Sequence, residues 1–128
     1  MKKILDEVRN TGKLELFEDL RRKIFLAQPS GVVNPSLVKD DLKMARNFAN
    51  RVRGGWTYIT NTEGIILANP FNLFYLKEVK KLKNLKEIIV FAPSLHNRIL
   101  LKLTSFIVQP DRIIEDKTEF EALIASPH

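Results

Sequence analysis

The chain has no cysteine and only two histidines among its 128 residues. The missing cysteine excludes disulfides, thiolate nucleophiles and sulfur-ligated zinc or iron–sulfur centres. Nothing in the sequence places a carboxylate beside His96 or His128, so we expect neither a zinc site nor a catalytic triad. The five glycines form no Gly-x-Gly-x-x-Gly or Walker-type loop. The sequence therefore predicts no enzyme activity, no cofactor and no metal.

Long apolar runs are also missing, and none reaches the roughly 18 residues that a membrane span needs. The first residues include Asp6 and Glu7, where a signal peptide would be apolar, so we expect a cytoplasmic protein. Hydrophobic residues make up 45% and charged residues 28% of the chain, as in globular domains, which excludes wholesale disorder. The length predicts a single domain over residues 1–128.

The net charge of +6 is concentrated in one stretch. Five lysines lie within ten residues, with Glu78 as the only acid among them: Lys77, Lys80, Lys81, Lys83 and Lys86. Lysine attracts phosphate as a point charge but lacks the bidentate geometry of arginine, so we expect no sequence-specific nucleic acid as a partner. A solvated helix face is the ordinary use of such a stretch, and contact with an anionic membrane is the alternative.

The first third of the sequence predicts a hairpin. Ile4, Leu5 and Val8 have helical spacing up to Thr11-Gly12, so residues 1–12 form an extension with a short helix. Two apolar, partly alternating runs, residues 14–18 and 23–27, predict paired strands, and Pro29-Ser30-Gly31 ends the second.

Three helices and two strands are predicted to alternate directly after the hairpin. Asn34-Pro35 is a cap with proline at the first helical position, followed by an apolar face of Val38, Leu42, Ala45, Phe48, Ala49 and Val52. Residues 56–60 predict a strand, Asn69-Pro70 a helix that runs to Leu82, and residues 88–92 a strand buried on both faces. Ser94 caps a helix whose apolar face is Leu95, Ile99, Leu103 and Phe106.

Residues 112–114 predict a last strand, and Asp116 starts a final helix through Ile124. The order ββαβαβαβα, with an optional leading helix, indicates an α/β fold. We expect a mixed, mostly parallel sheet of about five strands with about four helices, and the early hairpin as an antiparallel edge.

This order and its landmarks resemble the SpoIIAA-like or STAS domains, named for anti-sigma-factor antagonists and sulfate-transporter tails. The resemblance covers residues 14–125, and is strongest to small bacterial members of unassigned function. Family antagonists carry an Asp-Ser-Ser-Gly-type motif at the start of the second helix, and its serine is phosphorylated. The matching residues 67–71 hold no hydroxyl, so that switch does not carry over. Thr60 and Thr62 are the nearest alternatives, although threonine there is typical of a turn.

Open α/β sheets bind ligands at the carboxyl ends of their strands, where helices begin. The side chains that would gather there are Asn69, Asn72, Ser94, His96, Asn97 and Arg98. Asparagine and serine at these positions are also ordinary helix caps. Arg98 in the first turn of a helix opposes the helix dipole, which suggests an anionic neighbour or ligand.

The absence of chemistry favours a non-enzymatic interaction or regulatory module, as the resemblance implies. Its partner would be a protein, with a second copy of the chain as one form. We expect the binding surface on the helix after Asn69, formed by Phe71, Phe74, Lys77, Lys80 and Lys81. The alternative is peripheral binding of anionic lipid or a small hydrophobic ligand, as in the similar Sec14-like lobe.

Overall fold

A computed structural model describes residues 1–65, 73–106 and 108–125. In these ranges the chain forms one mixed sheet and four helices. The strands are β1 (Lys2–Arg9), β2 (Gly12–Asp19), β3 (Ile24–Gly31), β4 (Trp56–Asn61), β5 (Gly64–Ile65), β6 (Leu85–Phe91) and β7 (Arg112–Ile114). The helices are α1 (Pro35–Arg51), α2 (Tyr75–Val79), α3 (Leu95–Leu103) and α4 (Lys117–Ile124). The strand order β1-β2-β3-β4-β6-β7, with β5 on β3, confirms the α/β class with two strands more than expected.

The predicted N-terminal helix is wrong, because residues 2–9 form β1, antiparallel to β2. The pairing register shifts between Lys3 and Leu5. Ile4 and Leu5 both pack against the core, although neighbours in a regular strand point to opposite faces. Val8, in contrast, is 66% exposed, so the helical spacing of Ile4, Leu5 and Val8 does not mark one buried face. Asn10, at a φ of 55°, forms the turn into β2.

The predicted hairpin of residues 14–18 and 23–27 is confirmed as β2 and β3. Pro29-Ser30-Gly31 does not end the second strand, because β3 continues to Gly31. Pro29 lies between the part of β3 that pairs with β4, residues 24–27, and the part that pairs with β5, residues 30–31. A residue without an N–H is tolerated in a strand at such an interruption of the pairing.

The parallel strands β3, β4, β6 and β7 follow one another in the sheet, so α1, α2 and α3 all cover the same face. The core on that face joins strand residues such as Phe25, Tyr58 and Val90 to all three helices. The opposite face carries α4, where the Phe120 ring stacks on Phe91 with centroids 4.2 Å apart. β6 is buried on both faces, as the apolar run 88–92 predicts.

The N-terminal cap of α1 and much of its buried face are as the sequence predicts. Asn34 Oδ1 accepts a hydrogen bond from the Ser36 amide at 2.8 Å, with Pro35 in the first turn. Ala45, Phe48 and Ala49 are buried as predicted. The same face also buries Asp41, which the apolar pattern did not include.

The helix predicted over residues 69–82 is much shorter where it is described. Its start at Asn69-Pro70 lies outside the described residues, and α2 covers only Tyr75–Val79. Residues 80–84 form turns, and Asn84 has a φ of 59° before β6 begins. Of the five clustered lysines only Lys77 lies within α2, so the predicted lysine face on one helix is wrong.

The apolar face predicted for the α3 region is the exposed one. Leu95, Ile99, Leu103 and Phe106 are exposed by 65, 49, 56 and 83%, while Asn97, Leu100, Leu101 and Thr104 are buried. Both sets repeat every three or four residues, so periodicity alone does not decide between them. Asn97 faces inward, where its Nδ2 donates to the carbonyls of Thr62, just after β4, and Ile65 in β5, and the other set faces outward.

Candidate functional site

The residues predicted to gather at the helix starts have separate, structural roles where they are described. Asn69, Phe71 and Asn72 lie outside the described residues. Ser94 caps α3, with its Oγ 3.5 Å from the Asn97 amide, which confirms the capping interpretation. His96 is exposed in the first turn of the same helix.

Arg98 finds its acceptors within the chain. Its Nη1 donates to the carbonyl oxygens of Ala92 and Pro93 at 3.0 and 2.8 Å, and its Nε lies 3.5 Å from Glu115 Oε1. The guanidinium therefore binds the turn between β6 and α3, and its position in the first helical turn requires no external anion.

Asn97 is 1% exposed and connects α3 to the end of β4. Its Nδ2 donates to the carbonyls of Thr62 at 3.3 Å and Ile65 at 3.0 Å. Thr62 Oγ1 donates in turn to the Phe91 carbonyl at 2.8 Å, and Thr60 Oγ1 lies 3.3 Å from the Tyr75 hydroxyl. Thr60 and Thr62 are both fully buried, so neither hydroxyl is accessible to a kinase in this conformation.

The lysine side chains of the predicted binding surface are exposed. Lys77, Lys80 and Lys81 point to solvent, with Lys81 Nζ 3.4 Å from Glu78 Oε1, and Phe74 is half-buried. Exposed ion pairs of this kind contribute little to stability. The lysines are thus available to an anionic partner.

A second surface is apolar. We call Leu95, Ile99 and Leu103 the α3 ridge, since they occupy one side of three successive turns and are all exposed. Phe106 extends the exposed apolar surface just beyond the helix. No acidic residue occurs from Leu95 to Phe106, and Lys102 is exposed beside the ridge. Large apolar residues that share one exposed surface indicate a binding site more strongly than scattered ones do.

A buried polar group lies under α1, near the end of β3. Asp41 is 4% exposed, and its Oδ2 accepts a hydrogen bond from the Tyr58 hydroxyl at 2.7 Å. Asp41 Oδ1 is also buried and has no hydrogen-bond partner among the described residues. Burial raises the pKa of Asp41 to about 7, although the bond from Tyr58 opposes this. Burial and the nearby Asp41 carboxyl raise the pKa of the Tyr58 and Tyr75 hydroxyls, so both stay protonated.

Asp41 and Tyr75 line a cavity between α1, the start of β2 and the end of β3, which we call the Asp41 cavity. Its walls are mainly apolar: Leu14, Val33, Leu37, Val38, Ile65 and Leu73. The sequence contained one signal for this site, since Leu37, Asp41 and Ala45 are spaced by four residues and place a carboxylate in the middle of an apolar face.

No family model matches the sequence, and no curated protein matches it either. Within the described ranges, no group of three or more histidine, aspartate or glutamate side chains is arranged to hold a metal ion. None of the helices described is long and apolar enough to cross a membrane.

Proposed function

We propose that this protein is a non-enzymatic interaction module of the SpoIIAA-like (STAS-like) kind, and that it docks a protein partner on the α3 ridge. The observation that carries the proposal is the exposure of Leu95, Ile99 and Leu103 by about half or more of each side chain. Full burial of an aliphatic side chain of this size stabilises by roughly 1.5–3 kcal/mol, and the fold obtains only part of that free energy for these three.

The order of elements supports the family part of the proposal. From β3 onward the chain alternates parallel strands with α1, α2 and α3 on one face, and closes with β7 and α4. This is the order that the resemblance implies, with β1 and the short β5 as additions. The junction that carries the phosphorylated serine in family antagonists corresponds to residues 67–71, outside the described residues.

The spacing of the ridge favours a helix as the docking element. Residues at positions i, i+4 and i+8 form a narrow row that fits the groove between rows on another helix. A helix that lies in a membrane surface presents a broader apolar face. The exposed charge beside the ridge is Lys102, and α2, which carries Lys77, packs on the same face of the sheet as α3. The partner we propose is therefore an amphipathic helix with acidic residues beside its apolar stripe.

The test places a photo-crosslinking amino acid at Ile99 in cells that produce the protein, with the same amino acid at exposed Glu121 on α4 as the matched control. We expect a discrete protein adduct from position 99 and none of that mass from position 121. The partner is then purified, and its dissociation constant is measured with the wild type and with Leu95→Ser/Leu103→Ser. The double variant should bind at least about tenfold more weakly, as substitutions at the centre of an interface do.

Two results would replace the proposal. An adduct between two copies of the chain, with a dimer in sedimentation that Ile99→Ser dissociates, would make the ridge a self-association surface. Binding to vesicles containing anionic lipid, weakened by replacing Lys77, Lys80 and Lys81 with Gln and by salt, would favour the membrane alternative. Equal adducts at positions 99 and 121 would remove the ridge from consideration.

A further inference from the structure

The sheet ends on one side at β1, whose outer edge has no strand beside it in the part of the chain that the structure describes. β1 is eight residues long and pairs with β2 along its length, so its backbone groups that point away from β2 form no ladder there. The opposite end of the sheet is β7, which has only three residues. Natural proteins usually keep free edges short or covered. β1 is therefore the edge at which a further strand can be added.

On the sheet face that carries α4, β1 presents Lys3 and Asp6. Lys3 Nζ lies 5.6 Å from the centre of the Phe17 ring, which packs on that face, and 3.3 Å from Asp6 Oδ2. Residues three apart in a regular strand would lie on opposite faces. These two share a face because the register shift between Lys3 and Leu5 places one extra residue between them.

On the face that α1 covers, β1 presents Lys2 and Glu7. Lys2 pairs with Glu18, whose carboxylate accepts hydrogen bonds from Arg51 of α1. Glu7 pairs with Leu14, which belongs to the core between the sheet and α1. Directly opposite residues of an antiparallel pair lie on the same face. Lys2 and Glu7, five positions apart, again share a face only because of the extra residue.

Two copies of β1 can pair antiparallel about a twofold axis that passes through this register shift. Lys2 then stands opposite Glu7 of the second copy, and Lys3 stands opposite Asp6 of the second copy. Both pairs join side chains of one face and of opposite charge, which is the favourable arrangement across neighbouring strands. The twofold axis repeats each pair, so four oppositely charged pairs form at once.

Other registers lack this match. A shift by one residue in either direction places side chains of opposite faces beside each other. A shift by two residues brings Lys2 beside Arg9 in one direction and leaves no charged pair in the other. The matched register also places Val8, which is 66% exposed, beside Met1 of the second copy. The charges of β1 therefore select a single alignment of two copies.

Within one copy these charges are only partly matched. Lys3 Nζ is shared between Glu15 at 2.9 Å and Asp6 at 3.3 Å. Neither Lys2 nor Glu7 forms an ion pair within the described ranges. A second copy supplies an additional lysine to Asp6 and a first partner to both Lys2 and Glu7.

From this register we propose that two copies of the chain associate through β1, in antiparallel pairing that continues one sheet through both copies. The surface is independent of the α3 ridge, because α3 connects β6 to β7 at the other end of the sheet. Either proposal can therefore fail without the other.

The experiment measures self-association by sedimentation velocity over a range of protein concentrations. We expect a dimer with a micromolar dissociation constant, as for other small and polar interfaces. High salt should weaken it several-fold, because the charged pairs are near the surface. Amide exchange in β1 should slow as the dimer forms, since added backbone hydrogen bonds protect the edge.

Two charge reversals test the register itself. Lys2→Glu and Glu7→Lys each place like charges opposite one another, so each variant alone should dimerise at least about tenfold more weakly. An equimolar mixture of the two should dimerise about as tightly as the wild type, because each copy then meets the opposite charge. Lys83→Glu and Glu119→Lys make the same charge changes at exposed positions away from β1, and should leave the dimer unchanged.

Four outcomes would overturn the proposal. The first is a monomer at every concentration up to about 500 μM. The second is a dimer that both reversals leave intact, and the third is a mixture that stays monomeric although both variants give folded amide spectra. The fourth is a wild-type dimer that Ile99→Ser dissociates, which would place self-association on the α3 ridge.

Discussion

The buried carboxyl of Asp41 predicts that the protein becomes less stable as the pH rises from about 4 to 7. Asp41 belongs to the core face of α1, and burial raises its pKa from 3.8 to about 7. Lys13 is the cation among the described residues that line the cavity, and it lies at the partly exposed wall. Asp41→Asn tests this prediction because it removes the titration while it preserves the shape of the side chain.

The sign follows from proton binding in the two states. Below pH 3.8 Asp41 is protonated in both the folded and the unfolded chain, and its ionisation costs nothing. Above that pH the unfolded chain releases its proton, while the folded chain holds it until about pH 7, so the free energy of unfolding falls across this interval. The interval from 3.8 to about 7 corresponds to a loss of about 4 kcal/mol, since one pKa unit equals roughly 1.4 kcal/mol. That is a large part of the roughly 5–15 kcal/mol that usually stabilises a domain.

The assay is urea denaturation of the wild type and Asp41→Asn at intervals from pH 4 to pH 8. The stability of the Asp41→Asn variant relative to the wild type should rise by up to about 4 kcal/mol over this range, because only the wild type must ionise a buried group. Asp40→Asn gives the effect of charge removal on the same helix outside the cavity. A difference between wild type and Asp41→Asn that stays constant within about 0.5 kcal/mol from pH 4 to pH 8 would refute the reasoning.

Three further predictions concern other contacts. Leu101→Ala should lower the free energy of unfolding by about 2–5 kcal/mol and Ile99→Ala by less than about 0.5 kcal/mol in chemical denaturation, and the reverse order would show that α3 is rotated. Arg51→Met should cost about 1–3 kcal/mol, because Arg51 donates two hydrogen bonds to the buried Glu18 carboxylate, and adding Glu18→Gln should recover much of that loss in a double-mutant cycle. Asn97→Leu should cost about 2 kcal/mol and speed amide exchange at β5, whereas unchanged stability would mean that its two carbonyl contacts do not orient α3.

The elements that the sequence predicted well are those whose signals are local. The cap of Asn34 with Pro35, the cap of Asp116 and the apolar run of β6 depend on neighbouring residues and short-range backbone bonds, and all three are confirmed. The burial of β6 on both faces of the sheet is predicted as well, because a run that is apolar at every position must be covered on both sides. The local signals thus account for the fold class and for most boundaries.

The errors arise where a long-range contact decides the structure. β1 is a strand because β2 offers it a pairing edge along its length, and the spacing of Ile4, Leu5 and Val8 carries no information about that edge. The orientation of α3 depends on Asn97 reaching carbonyls more than thirty residues earlier in the chain. No pattern within residues 95–106 contains that information, so the apolar set that the sequence assigns to the core is the set that faces solvent.

The candidate site was missed for a related reason. At the helix starts, where the sequence predicts a ligand, Ser94 and Arg98 bind the chain's own backbone, whereas Asp41 lies in the second turn of a helix. Its position in an apolar face is visible in the sequence, but whether a carboxylate there meets a cation or a hydroxyl depends on β4 and α2. Tyr58 supplies that hydroxyl from another strand.

The partner of Asp41 also bears on why a carboxylate occupies this position. A hydrogen bond from the Tyr58 hydroxyl needs only an acceptor, and asparagine provides one without a charge to bury. The fold therefore gains nothing from the second carboxylate oxygen, and near neutral pH it bears the cost of ionising it. The pH dependence of unfolding in the wild type and in Asp41→Asn measures that cost directly.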